Sequence, residues 1–192
     1  MLSKPRLDKC CAPGDTPRVI LGRYLWNIAL CQALYPALHS LEVAFRNRLH
    51  EALKLHFGVP SWFDMPWLLD REQDKVAAAK QELRKRNAPL EADRVVAELS
   101  FGDVIRQTLP HMPKHLRKRT EINKRMHTLR LLRNRVFHYE PIWHWEDLPR
   151  QHADLRQALE WFEPELLKLL CVPPLFEEVH SRGPAAYELD VR

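Results

Sequence analysis

The stretch TEINKRMHTLRLLRNRVFHYEP, Thr120 to Pro141, decides the reading of this chain. At 100° per residue, Ile122, Met126, Leu129, Leu132 and Val136 fall on one face of a helix. Arg133 falls on that face too, and an arginine amid apolar neighbours is costly without a partner. His127, Leu131, Asn134 and His138 lie roughly opposite. A helix with contact groups on both faces is expected to be covered on both, one cover being the chain's own core and the other a second copy of the protein. Thr120 reads as its N-cap, and Pro141 stops it just past Tyr139.

Working outward, the rest reads as an all-α scaffold. Only 5 glycines occur among 192 residues, and long Leu/Ala/Arg/Glu/Lys stretches favour helix. A helix is expected from Arg18, with Leu21, Tyr24 or Leu25, Ile28 and Cys31 or Gln32 on its apolar side. Tyr35-Pro36 then breaks or kinks it. A second helix carries Leu38, Leu41, Phe45, Leu49, Ala52 and Leu53 inward and ends at Gly58 and Pro60. Ser61 to Trp67 reads as an aromatic plug for the core rather than a base-stacking platform. Asp70 to Arg86 reads as a surface helix with Val76, Ala79 or Lys80, and Leu83 inside. Asp93 is a candidate cap for a helix that buries Val95, Val96 and Leu99. Asp147 and Pro149 open a last helix, with Leu155, Leu159 and Phe162 inward and, past Pro164, Leu166, Leu169 and Leu170. The ends are rich in Pro and Gly, so residues 1–17 are expected to form a flexible arm and 173–192 an extended tail, flanking one domain at 18–172.

The formal net charge of +5 is unevenly spread. Between His111 and Arg135 lie Lys114, Arg117, Lys118, Arg119, Lys124, Arg125, Arg130, Arg133 and Arg135, against the single acid Glu121. Such a block suits a polyanion, nucleic acid before membrane, although a merely solvated basic face has the same composition. Cys10, Cys11, Cys31 and Cys171 have neither zinc-ligand nor disulfide-framework spacing, and read as reduced thiols of a cytoplasmic protein. No signal peptide or transmembrane helix is expected.

The chemistry is expected at Arg133, Asn134 and His138. A guanidinium fork braces two phosphate oxygens and stabilises charge building on them, while an imidazole moves protons. RNA brings its own 2′-hydroxyl nucleophile, so no metal or cofactor is required. Asn134, one turn before His138, can orient its ring. One helix offers one histidine; a two-fold dimer would supply the second. Arg133 and His138 stand about 140° apart on an ideal helix, so the pair also admits a bland reading as an interface arginine and a helix-capping histidine. On the second helix, Glu42, Arg46 and His50 share a face beside Asn47. They read either as a row of i,i+4 pairs or as a second wall of the site. A zinc site on His111, His115, His138 and His144 is disfavoured, because Pro113 spoils a shared helical face and no carboxylate has ligand spacing.

Arg133-Asn134-Arg135-Val136-Phe137-His138, followed by Tyr139-Glu140-Pro141-Ile142, resembles the signature of the Abi-like (AbiD/AbiF type) family in the HEPN superfamily. Leu41 to Asn47, Gly58 to Trp62 and Val96 to Gly102 resemble further segments of it in the same order, together covering roughly residues 20–170. Where that family often has an aromatic residue after Ser-Phe-Gly, this chain has Asp103. The resemblance implies a HEPN-like helical bundle with extra helices and loops that dimerises around a composite cleft. It implies a metal-independent endoribonuclease leaving 2′,3′-cyclic phosphate and 5′-hydroxyl ends, acting in abortive infection against phage. Arg133, Asn134 and His138 would be catalytic, and Glu42, Arg46 and Asn47 a supporting wall. Lys114, Arg117, Lys118, Arg119, Lys124, Arg125, Arg130 and Arg135 would grip RNA. Expected partners are RNA, a second copy, and a non-coding RNA or antitoxin. The alternative is a non-catalytic RNA-binding HEPN module.

Overall fold

One helix runs through the middle of the molecule. The computed structural model describes residues 7–66, 68–99, 112–113, 115, 119–169 and 175–189. Among these, all regular structure is helical. The central helix, α1, spans Pro17–Phe57, 41 residues and therefore about 60 Å long. Thr16 caps it by accepting from the Val19 N–H at 3.4 Å, Pro17 opens it, and Gly58, at φ 70°, closes it.

The expected break at Pro36 is not made; α1 passes through it. Pro36 has no N–H for the carbonyl of Gln32, a loss of about 3 kcal/mol in a helix interior. Leu34 and Leu38 on either side are buried to 1% or less, and a core that grips both sides of a proline offsets that cost. The inward face of the first half is also shifted from the expected one. Gly22, Trp26, Asn27, Leu30, Cys31 and Leu34 are buried, while Leu21, Leu25 and Ile28 are only partly so. This half is apolar nearly all round, so periodicity alone does not choose a face. In the second half Leu38, Leu41, Phe45, Leu49 and Leu53 are buried as their spacing predicts. An 18-residue window of α1 reaches a mean hydropathy of 1.2, enough by length and composition to cross a membrane. Its leucines at 30, 34, 38 and 41 are nevertheless core residues here.

A 3-10 turn, Trp62–Asp64, follows. Trp62 and Phe63 are 1% and 4% exposed, so the connector plugs the core; Trp67 lies outside the described residues. Then come α2 (Asp70–Lys85), α3 (Ala92–Glu98), α4 (Arg119–Phe137), α5 (Leu148–Phe162), α6 (Pro164–Leu169) and α7 (Leu175–Arg182). A short turn, Pro184–Tyr187, comes last. α1 touches α3, α4, α5, α7 and both short turns, so the scaffold is built around it.

Two expected caps are reassigned. Glu91 occupies the N-cap of α3 without a side-chain cap hydrogen bond, and Asp93, in the first turn, faces His50 at 3.2 Å. Thr120 lies inside α4. The C-terminal segment is not an extended tail: α7 folds back on α1, with Phe176 and Val179 buried and the Trp26 indole N–H donating to the Val179 carbonyl at 2.9 Å. The final turn presses on Gly22, where an added Cβ would lie 2.8 Å from Glu188 Cγ and 3.1 Å from the Pro184 carbonyl. At the other end, the described part of the N-terminal arm is anchored. Cys10 is 1% exposed, and Arg23 binds both the Cys10 carbonyl at 3.1 Å and the Asp15 carboxylate. Amphipathic periodicity cannot see such docking, because short segments between prolines carry too few apolar residues to show a period.

Candidate functional site

α4 lays Met126, Leu129, Leu132 and Val136 into the core, as its spacing predicts. The opposite face is open. His127 and His138 are exposed, Leu131 is 46% exposed and Asn134 half-buried. The helix closes with a Schellman arrangement. The Glu140 N–H reaches back to the Arg135 carbonyl at 2.8 Å, and the Tyr139 N–H to the Val136 carbonyl at 3.2 Å. Tyr139 takes the left-handed position, φ 54°, where glycine or asparagine is the usual occupant. α2 ends the same way with Asn87 at φ 53°. His138 is therefore the last residue before the reversal, its N–H bonded to the Asn134 carbonyl at 3.0 Å. Among the described residues, no side-chain hydrogen bond holds its ring.

Arg133 has the partner that its place on the apolar face demands. Its Nε donates to Glu42 Oε2 at 3.0 Å and its Nη2 to Oε1 at 3.3 Å, a two-pronged fork from α4 to α1. Arg46, one turn further along α1, binds the same carboxylate from the other side. It also donates to the Ala97 carbonyl of α3 at 2.8 Å. Glu42 is 5% exposed and each arginine about a quarter, so two cations share one nearly buried acid, and the cluster joins three helices. Arg133 Nη1 reaches Asn134 Oδ1 at 3.3 Å, which turns that oxygen toward the arginine rather than toward His138. The Arg133 guanidinium lies over the Phe137 ring at 4.3 Å. Phe137 stacks on Tyr35 at 4.6 Å and 21°, and Tyr35 lies parallel to His39 at 6.0 Å.

Two α1 residues placed at the site by their spacing go elsewhere. His50 accepts the Trp62 indole N–H on Nδ1 at 3.1 Å and faces Asp93 with Nε2. This relay fixes the Nε2–H tautomer and ties α1 to the connector and to α3. Asn47 lines a groove of about 550 Å³ that it shares with His39, Val43, Arg48 and Glu163 and to which Arg133 does not contribute.

The basic residues divide as well. Arg125 pairs with Asp154 at 3.4 Å and covers the Trp161 ring at 4.5 Å, fastening α4 to α5. Arg135 pairs with Glu140 at 3.0 Å. Lys124 is exposed and Arg130 half-buried, next to His127. Lys114, Arg117 and Lys118 lie outside the described residues, as do the Arg119 side chain, Ser100-Phe101-Gly102, Asp103 and His111.

Asn27 was missed by the sequence reading. It is 4% exposed, and its Oδ1 accepts from the Ile142 N–H at 2.8 Å and the Trp143 N–H at 3.2 Å. It thereby anchors the loop after His138 to α1. A polar residue inside an otherwise apolar helical run was the available signal. Cys10, Cys11 and Cys31 carry free thiols, and burial pushes the Cys31 thiol up to about 11, far from a nucleophile's range. Among the described residues no group of three or more His, Cys, Asp or Glu is arranged to hold a metal ion. No protein-family model, no curated protein and no solved structure matches the chain.

Proposed function

We propose that the protein is an Abi-like HEPN endoribonuclease, working without a metal and completed by a second copy of itself. The observation that carries this reading is His138, an exposed imidazole at the end of a basic helix, five residues from an arginine that keeps about a quarter of its side chain in solvent. In the proposed reaction one His138 takes the proton of a ribose 2′-hydroxyl. The 2′-oxygen attacks the adjacent phosphorus, the bond from phosphorus to the 5′-oxygen breaks, and the second copy's protonated imidazole gives that oxygen its proton. The products are a 2′,3′-cyclic phosphate and a 5′-hydroxyl. Arg133 keeps N–H groups beyond those spent on Glu42, since a guanidinium has five, and these would meet the charge growing on the phosphate oxygens. Lys124 and Arg130 would hold the RNA backbone. The cellular setting would be the cytoplasm of a phage-challenged bacterium.

His138→Ala should abolish RNA cleavage in excess chelator while leaving Tm within about 2 °C of the parent, since an exposed side chain is usually worth within about 0.5 kcal/mol. Cleavage at the parental rate by that variant would end the reading.

The Glu42–Arg133 fork favours a second reading, a non-catalytic RNA-binding module in which the arginine serves the fold. Salt-dependent RNA binding with no loss of RNA length would select it.

A further inference from the structure

We propose that the groove between Tyr35 and Tyr139 is a subsite for one nucleobase of single-stranded RNA, next to the linkage that His138 addresses; this rests on the RNA reading above. The groove is about 260 Å³ and is lined by Cys31, Gln32, Tyr35, Pro36, Val136 and Tyr139. It falls just below the range of about 300–1,000 Å³ for drug-sized ligands, which suits a single planar ring system.

Its walls have the chemistry of a stacking site. Tyr35 is 47% and Tyr139 63% exposed, so two large rings flank an apolar floor of Pro36 and Val136. Tyr35 is held in place by its stack on Phe137, which in turn lies under the Arg133 guanidinium. That ring is thus presented with little freedom left to lose on binding. Gln32, an exposed amide, also lines the groove, and its side chain can both donate to and accept from a base edge.

Tyr139 supplies the independent argument. Its left-handed backbone is unfavourable for a side chain with a Cβ, and its ring gains little burial in return. At the matching reversal of α2 the chain uses Asn87, the residue type such turns tolerate. Keeping a strained, exposed aromatic directly after His138 contributes nothing evident to the fold, whereas a base held against it would lie within one residue of the proton-transferring imidazole. The surroundings fit a polyanion. Of the described basic residues on α4, Arg125, Arg133 and Arg135 are paired with Asp154, Glu42 and Glu140, which leaves Lys124 and Arg130, on the helix that Tyr139 follows, to meet the backbone of a strand whose base enters the groove.

The test uses the full chain and a short single-stranded RNA carrying one 2-aminopurine, with 2′-O-methyl riboses so that it cannot be cut. Stacking in the groove should quench the fluorophore. Tyr139→Gly, which suits the left-handed backbone, and Tyr35→Ala should each weaken binding about 5- to 150-fold, the range for loss of one base–aromatic stack. Tyr35→Phe should bind as the parent does. An abasic ribose at the labelled position should bind the parent and the Tyr139→Gly chain equally weakly. On unmodified RNA the same two changes should raise KM more than they lower kcat.

Parental affinity in both variants overturns the subsite, and if RNA is still cut the nuclease reading stands. Tyrosine-dependent binding with no cleavage of unmodified RNA supports the subsite and overturns the nuclease. If light scattering shows that the variants lose self-association while RNA affinity per protomer is unchanged, the rings belong to an interface between copies and the subsite falls. No RNA binding by the parent overturns both.

Discussion

Arg133 and His138 are five residues apart on one helix and live in opposite environments. The arginine is sunk into the α1–α4 contact, forked to a carboxylate that is itself 5% exposed and shared with Arg46. The histidine stands exposed at the helix end, ahead of a loop that Asn27 holds to α1. The contrast shows that two ends of one motif need not answer to one demand. The arginine end staples α1 to α4, and the histidine end is left open to solvent.

The most forceful way to break this contrast is Glu42→Ala. It leaves two guanidinia facing each other without their shared counter-charge, and loss of one partner of a buried pair costs about 3–5 kcal/mol. The low end is expected, because both arginines keep roughly a quarter of their side chains in water. A fall in the urea midpoint at an unchanged slope measures it. A loss near zero would mean that Arg133 is not committed to the fold.

Asn27→Ala attacks the open end instead. The N–H groups of Ile142 and Trp143 lose their acceptor, at about 1–3 kcal/mol for each one left unpaired. Faster hydrogen exchange at those two amides, with α2 unaffected, would show the effect to be local.

A pH scan separates the scaffold from both ends. Burial holds His152 below its ordinary value of 6.5; Glu177 opposes that shift and Arg156 adds to it. The unfolded chain therefore takes up this proton first on acidification. The stabilisation is complete above about pH 6.5 and is lost as pH falls from there toward the lower folded value. His152→Leu should flatten that part of the Tm profile.

The smallest effect is expected at Tyr139. Glycine relieves the left-handed backbone but adds unfolded-chain freedom, for a net gain of about 0.5–1 kcal/mol. A destabilised Tyr139→Gly chain would show that the ring packs for stability after all.

Particular residues show how far the sequence could be read. The buried stripe of α4, the inward leucines of the second half of α1 and the α2 stripe at Val76, Ala79 and Leu83 are as spacing predicts, because each is a local periodic pattern, and the plug at Trp62 follows from its cluster of aromatic residues. The separate second helix expected from Pro36 is instead the continuation of α1, since a proline's local cost says nothing of what the surrounding core repays. The docking of α7 on Trp26 and the approach of the last turn to Gly22 were invisible, because contacts across more than 150 residues leave no period.

By itself the sequence determined that this is a helical chain with a basic, two-faced helix ending in Arg-x4-His. Helical geometry turns residue spacing directly into faces, so that much needs no partner element. Only the tertiary structure decided that Glu42 takes Arg133, that His50 turns to Trp62 and Asp93, and that His138 stays open to solvent. Which polar group pairs with which depends on how helices distant in sequence are laid together, and on the cost of burying a charge without a partner.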